Sequence, residues 1–333
     1  FLPVLWADAL NMPGVDPREM AELAVLIRKQ KGGKAGYRQA IKQVEQGFAS
    51  IHVQMGEFVR SMAEKGWVEL SKGPNRNNSS CYCIPFPKSE NPRVFMRSED
   101  DVNGLAHEIG HAFHYCYAMK GIHPVEKNIP IVLSEFCSTF AEIAVKEHLY
   151  ENASAQAEKL RISLLDMMNI KMDLMLEPAK FELEQSIYSS RQKNTLTPQI
   201  LNRLERKVFD RWYENTLAQK HEFFWLSNKA FYRSGNCFYN CVYTFGYLFS
   251  LGVYSRMKKS GRRFYPDFIA LLRDCGRMRV FELAQKHLKV DLARPEFWKE
   301  SLKLVKLKIE RFTKNLKKAN YLTQKTDRLG WKG

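Results

Sequence analysis

Residues 102–113, Val-Asn-Gly-Leu-Ala-His-Glu-Ile-Gly-His-Ala-Phe, carry two helical patterns at once. Val102, Leu105, Ile109 and Phe113 recur at three- and four-residue spacing, the signature of a buried helix stripe. His107 and His111 stand four residues apart and fall on a different face with His114, about one turn or ~6 Å along the axis. Two imidazoles so placed can each turn a ring nitrogen onto one zinc ion at roughly 2.0–2.1 Å. Glu108, about 100° round the helix, is placed to take a proton from a water on that ion.

The rest of the chain reads as mostly helical. Stretches 17–30 and 37–64 carry apolar residues at helical spacing, separated by Gly32-Gly33 and ended by Gly66. A Gly-Pro-Asn loop occupies 73–78. Segments 81–86 and 93–96 read as one short β-hairpin, the only β element expected. Ser98-Glu99-Asp100-Asp101 resembles a capping box opening the histidine helix. Pro130 starts another helix with Leu133, Phe136, Phe140 and Ile143 buried. Further helices are expected at 155–176, 178–191, 197–218 (Thr197 as cap), 236–259, 265–275, 280–287 and 295–318. The organisation expected is a lead-in at 1–36 continuing from an N-terminal lobe absent from this chain, one helical domain at 37–320, and a basic tail at 321–333.

Two histidines under-coordinate a zinc; three protein ligands plus water is the usual open arrangement. A third His six residues past His111 is excluded, because position 117 is Tyr117. The helix after Pro130 offers two carboxylates instead, Glu135 and Glu142, nearly on one face. The residues alone leave the choice between them open.

Composition narrows the remaining classes. No run of 18 apolar residues occurs, so no membrane span is expected. Seven cysteines without a paired framework or any C-x-x-C fit reduced thiols in a cytoplasmic protein. The net charge of +16 is concentrated at the C-terminus: 301–333 holds ten Lys or Arg against two acidic residues, a net of +8. Leu304, Leu307, Phe312 and Leu316 recur near helical spacing there, so the charge reads as the solvated face of a docked helix. Without a nucleic-acid module, a nucleic-acid partner is not expected.

His107-Glu108-Ile109-Gly110-His111-Ala112-Phe113-His114, with Glu135 inside Ser-Glu-Phe-Cys-Ser-Thr-Phe-Ala-Glu, resembles the zinc peptidase family of thimet oligopeptidase and oligoendopeptidase F, closer to the second branch. Cys81–Ser89 and 93–96 resemble that branch's substrate-side hairpin. Phe238-Tyr239-Asn240, the Tyr243–Ser250 run and the stretch from Leu272 to Trp298 resemble its C-terminal helices. The resemblance covers about 37–312. It implies a mostly α, zincin-like fold, one zinc ion per chain, His107, His111 and Glu135 as ligands, and Glu108 as general base. Glu142 then becomes a carboxylate that orients a ligand imidazole, and His114 a supporting residue. Tyr239 and Tyr243 match the family's oxyanion donors, with Tyr247 next to them, and Tyr82 and Cys83 lie on the substrate side. Short peptides are the implied substrates, cut internally. Two other outcomes stand beside this: a zinc carboxypeptidase of related fold, or a homologue that binds peptides without cutting. Ala230 replaces a histidine common in the family, and Ser79-Ser80 a glycine pair.

Overall fold

The computed structural model describes residues 36–70, 81–86, 88–96, 101–193, 195–214, 222–235 and 237–318. The helix expected at 17–30, the Gly32-Gly33 break, the 73–78 loop, Ser79-Ser80, Ser98 to Asp100 of the capping box and the tail from 321 lie outside the described residues. The stretch read as one helical domain divides into two compact units, one of 36–153 with 245–304 and one of 154–244 with 305–318. Among the described residues, no helix is long and apolar enough to cross a membrane.

In the first unit, helix α1 (Tyr37–Ile51) buries Ala40, Ile41, Val44, Gly47, Phe48 and Ile51 along one stripe. The periodicity runs on to Glu64, yet the helix does not. His52 is extended, its ring stacks 3.7 Å from that of Tyr265, and its side chain accepts from Gln54 N at the start of α2 (Val53–Glu64). Helix α2 then folds back on α1, with Gly56 against Ala49 and Arg60 paired with Glu45. The single helix expected over 37–64 is therefore two. Gly66, at φ +62°, ends the pair.

Three short strands follow: β1 (Val68–Leu70), β2 (Tyr82–Ile84) and β3 (Arg93–Met96). The expected hairpin is β2–β3, antiparallel with Cys83 opposite Val94. A third strand joins it: β1 runs parallel to β3, Val68 opposite Val94, giving the order β1-β3-β2. The sheet's inner face carries the buried Val68, Val94 and Met96. Its outer face carries Tyr82, Ile84 and Phe95.

Helix α3 (Val102–Ala112) packs on β2 and β3. Asp101 caps it, Oδ1 accepting from Gly104 N at 2.8 Å, so the cap sits at the last residue of the expected box. Past Ala112 the helix widens into a π-turn, Phe113–Ala118, a feature often found beside functional sites. Helix α4 (Ile131–Asn152) is buried on almost every side; Leu133, Phe136, Phe140 and Ile143 are all core, as their spacing implies. Phe136 and Phe140 meet Phe249 and Phe268 with ring centroids 4.9 and 4.5 Å apart.

In the second unit, α5 (Gln156–Lys171) passes through a π-turn, Met172–Leu176, into α6 (Glu177–Arg191). The two helices expected there are one rod; the wider turn accommodates Pro178, which cannot donate into the ladder. Helix α7 (Pro198–Trp212), capped by Thr197, packs on α6. Ala179, Leu183 and Val208 centre that contact, with Trp212 and Trp225 around it. A short helix, α8 (Phe224–Ser227), follows. Helix α9 (Cys241–Ser260) starts five residues later than its pattern implies, because Phe238 is left-handed at φ +57°. From residue 245 the chain belongs again to the first unit, with the rest of α9, α10 (Tyr265–Asp274) and α11 (Val280–Leu283) with its π-turn; α12 (Pro295–Lys318) begins in that unit and continues into the second from residue 305. Lys308 of α12 makes a buried 2.9 Å pair with Asp166.

Candidate metal centre

The centre is built where α3 and α4 touch. Gly110 makes the approach feasible: a Cβ there would lie 2.7 Å from Ser138 Cα and 3.0 Å from both Cys137 O and Ala141 Cβ. Only a residue without a side chain lets the backbones come so near. That closeness presents Glu135, at the start of α4, to the histidine face of α3. Behind Glu135, Gly246 leaves room for its Cβ at an ordinary 3.5 Å.

His107, His111 and Glu135 converge. The two Nε2 atoms are 3.2 Å apart, and Glu135 Oε2 lies 3.3 Å from His107 Nε2 and 3.6 Å from His111 Nε2. A tetrahedral ion with bonds of roughly 2.0–2.1 Å needs donor–donor edges of about 3.3–3.4 Å. The triangle has that size. Two imidazoles and a carboxylate also suit zinc and its transition-metal neighbours rather than calcium or magnesium, which prefer all-oxygen sets.

The next layer fixes His107. Its Nδ1 meets Glu142 Oε1 at 2.6 Å, while Asn103 Nδ2 donates to Glu142 Oε2 at 2.7 Å and Lys146 Nζ lies 3.7 Å from that oxygen. With Nδ1 engaged, Nε2 is the nitrogen left for a metal. Glu135 is therefore the carboxylate in the donor triangle and Glu142 the one behind the imidazole. Burial works against the charge on Glu142 and is the largest influence. The His107 hydrogen bond, Lys146 and Asn103 overcome it and hold the carboxyl at about 2. Glu135 is likewise driven well below the carboxylate range by His107 and His111 against burial. Burial opposes a charged His107, but Glu135 and Glu142 outweigh it and raise its pKa. A cluster that favours a proton on His107 provides the negative field that a divalent cation would also use.

Glu108 is buried beside these groups but belongs to another side of α3. Burial raises its pKa, with the two histidines pulling it back. A carboxylate poised above its solution value suits a base that must later release its proton. His114, in the π-turn, is fully buried and donates from Nε2 to Leu272 O at 3.0 Å; it supports the fold and takes no part in the triangle.

The other expected site residues are placed as follows. Cys83 lies on β2 near enough to Glu108 for their charges to interact, and burial raises its thiol pKa. Tyr82 is on the opposite face of the same strand, stacked 4.7 Å from Phe95. Tyr239 and Tyr243 belong to the second unit, where their hydroxyls share a 2.9 Å hydrogen bond. Tyr247 is 1% exposed and packs in the core, which gives it no surface to offer a substrate. Ala230 sits in a 3₁₀ turn, Lys229–Tyr232, and brings only a methyl group. Missed from the sequence were Asn103, one turn before His107 on α3, and Lys146, one turn after Glu142 on α4, both of which support Glu142. Tyr115, its pKa pushed to about 12 by burial, also feels the charges of Cys83 and Glu135.

The profile described as peptidase family M3 matches residues 55–301. The chromosomal oligoendopeptidase F of Lactococcus lactis subsp. cremoris is 22% identical over 222 residues, covering 64% of this chain and 36% of that protein. A solved structure from Chlamydophila abortus, assigned as a peptidase, superposes with a TM-score of 0.77 at 17% identity, covering 94% of this chain and 52% of that one. PZ peptidase A, solved with an inhibitor, superposes at 0.64 and 18% identity, covering 84% and 49%. The chain thus spans about a third to a half of the length of these relatives.

Proposed function

The chain belongs to peptidase family M3, and on that premise we propose that it is a zinc-dependent endopeptidase acting on short, unstructured peptides. The observation that carries the reading is the donor triangle of His107, His111 and Glu135, with Glu108 on the same helix turn. Zinc held by His107, His111 and Glu135 would supply a Lewis acid for the scissile carbonyl and would make a water acidic enough to lose its proton near neutral pH. Glu108 takes the proton as water attacks and returns it to the leaving amine. Glu142 and Asn103 keep His107 oriented throughout. Tyr239 and Tyr243 are the proposed donors to the oxyanion, on the strength of the family match of their sequence positions. The peptide is held extended along the edge of β2 away from β3, which no strand pairs with among the described residues, by main-chain hydrogen bonds.

The test is mass spectrometry of a peptide mixture incubated with the protein, with and without chelator, alongside Glu108→Gln. The reading requires internal cuts that chelator abolishes and zinc restores. It also requires Glu108→Gln to retain metal while losing at least ~10²-fold in rate. Cleavage indifferent to both would refute it. Removal of single C-terminal residues would point instead to a carboxypeptidase.

A further inference from the structure

Strand β2 is one of the two outer strands of the sheet, and among the described residues no strand pairs with its other side. Such edges are usually blunted by charge, proline or a covering element. This one carries large apolar side chains instead. Tyr82 is 45% exposed, Ile84 38%, and Phe86, just past the strand, 47%. The register explains how they are arrayed. Tyr82 stands opposite Phe95, and Phe95 opposite Glu69, so one row crosses the outer face; Ile84 stands opposite Arg93 in the next row of that face. The Tyr82 and Phe95 rings are already stacked, 4.7 Å apart and 23° from parallel. The inner row, Val68–Val94–Cys83, leads toward the helix that bears Glu108.

A peptide added beside β2 must alternate, one side chain toward Cys83 and the next toward the outer face. Outward side chains would extend the Phe95–Tyr82 row or lie against Ile84. We infer that Tyr82 and Ile84 set the substrate preference of this chain, selecting extended peptides with bulky apolar or aromatic residues at alternate positions. The inference rests on the peptidase reading for its placement of the peptide, but not for the selectivity itself. The strand is held firmly enough to select: in the β2–β3 turn Glu90 accepts from the buried Lys127 at 2.8 Å and from Gly121 N at 3.3 Å. Cys116 Sγ donates to Pro85 O at 3.1 Å.

The experiment uses two series of extended peptides differing only at alternate positions, leucine or phenylalanine in one and serine in the other. Binding is read by fluorescence anisotropy on the zinc-loaded Glu108→Gln chain, and cleavage by mass spectrometry on the unsubstituted chain. The apolar series should be preferred about three- to tenfold per matched position, the range for cross-strand aromatic and apolar pairs. Tyr82→Ser and Ile84→Ser should each erase the preference at one position. Tyr82→Phe should keep it, as should Val125→Ser, which removes an exposed apolar group outside the sheet. Equal handling of the two series, or a preference that survives both serine variants, overturns the inference. Preferential binding with no cleavage would instead overturn the peptidase reading and leave the role of the strand standing.

Discussion

Replacing Gly110 with alanine tests how the centre is held. The added Cβ would lie 2.7 Å from Ser138 Cα and 3.0 Å from Cys137 O, both backbone atoms that cannot rotate aside. Carbon atoms settle at about 3.5–4.0 Å, so α3 and α4 must part by roughly 1 Å. Alanine gains up to about 1 kcal/mol in helix propensity over glycine, but overpacking costs about 1–3 kcal/mol, so the net effect is destabilising. The shift also carries Glu135 from the histidines, stretching edges that now measure 3.3 and 3.6 Å. Zinc affinity should fall about tenfold or more, tenfold corresponding to about 1.4 kcal/mol. Gly246→Ala is the control, since its Cβ would meet Glu135 Cβ at 3.5 Å and fit. Urea unfolding without metal and zinc titration against a competing chelator read the two effects. A Gly110→Ala protein as stable and as tight for zinc as the parent would refute the reasoning.

Two other perturbations follow from the same geometry. Glu142→Leu removes the partner of His107 Nδ1 and leaves Asn103 and Lys146 facing an apolar group; zinc affinity should drop about 10–100-fold, with Glu142→Gln less affected, as measured by the same titration. His114 makes stability depend on pH. Burial first, with the charge of His111, lowers its folded pKa to about 4 against the Leu272 hydrogen bond, and its buried Nδ1 has no partner among the described residues. The unfolded chain takes up that proton near 6.5, so this term is absent above about pH 6.5. It destabilises progressively as pH falls toward 4, by about 3 kcal/mol at most. The difference in urea midpoint between the parent and His114→Gln should therefore change between pH 7 and pH 4.5 by the equivalent of about 2–3 kcal/mol; a constant difference would contradict the assignment.

What the sequence made legible was what local spacing decides. The apolar stripe of α3, its histidine face and the carboxylates of α4 repeat within a few residues, and both helices form where those patterns lie. The hairpin β2–β3 was readable for the same reason. Strand β1 was not, because three residues carry too little pattern and its partner is a parallel strand 26 residues later. The break at His52 has no proline or glycine to mark it. The fold-back of α2 on α1 and the stacking on Tyr265 impose it from outside the segment. The burial of Tyr247 and the left-handed Phe238 are likewise set by packing. At the centre itself, the spacing left Glu135 and Glu142 interchangeable. Their separate roles emerge only from the contact at Gly110 and from the bond between Glu142 and His107 Nδ1.

The most direct test is X-ray diffraction from zinc-soaked crystals, recorded on both sides of the zinc absorption edge. The account predicts a single anomalous peak roughly 2.0–2.1 Å from His107 Nε2, His111 Nε2 and a Glu135 oxygen, with Glu142 still bonded to His107 Nδ1. A peak elsewhere, or none at these three side chains in metal-saturated protein, would contradict it.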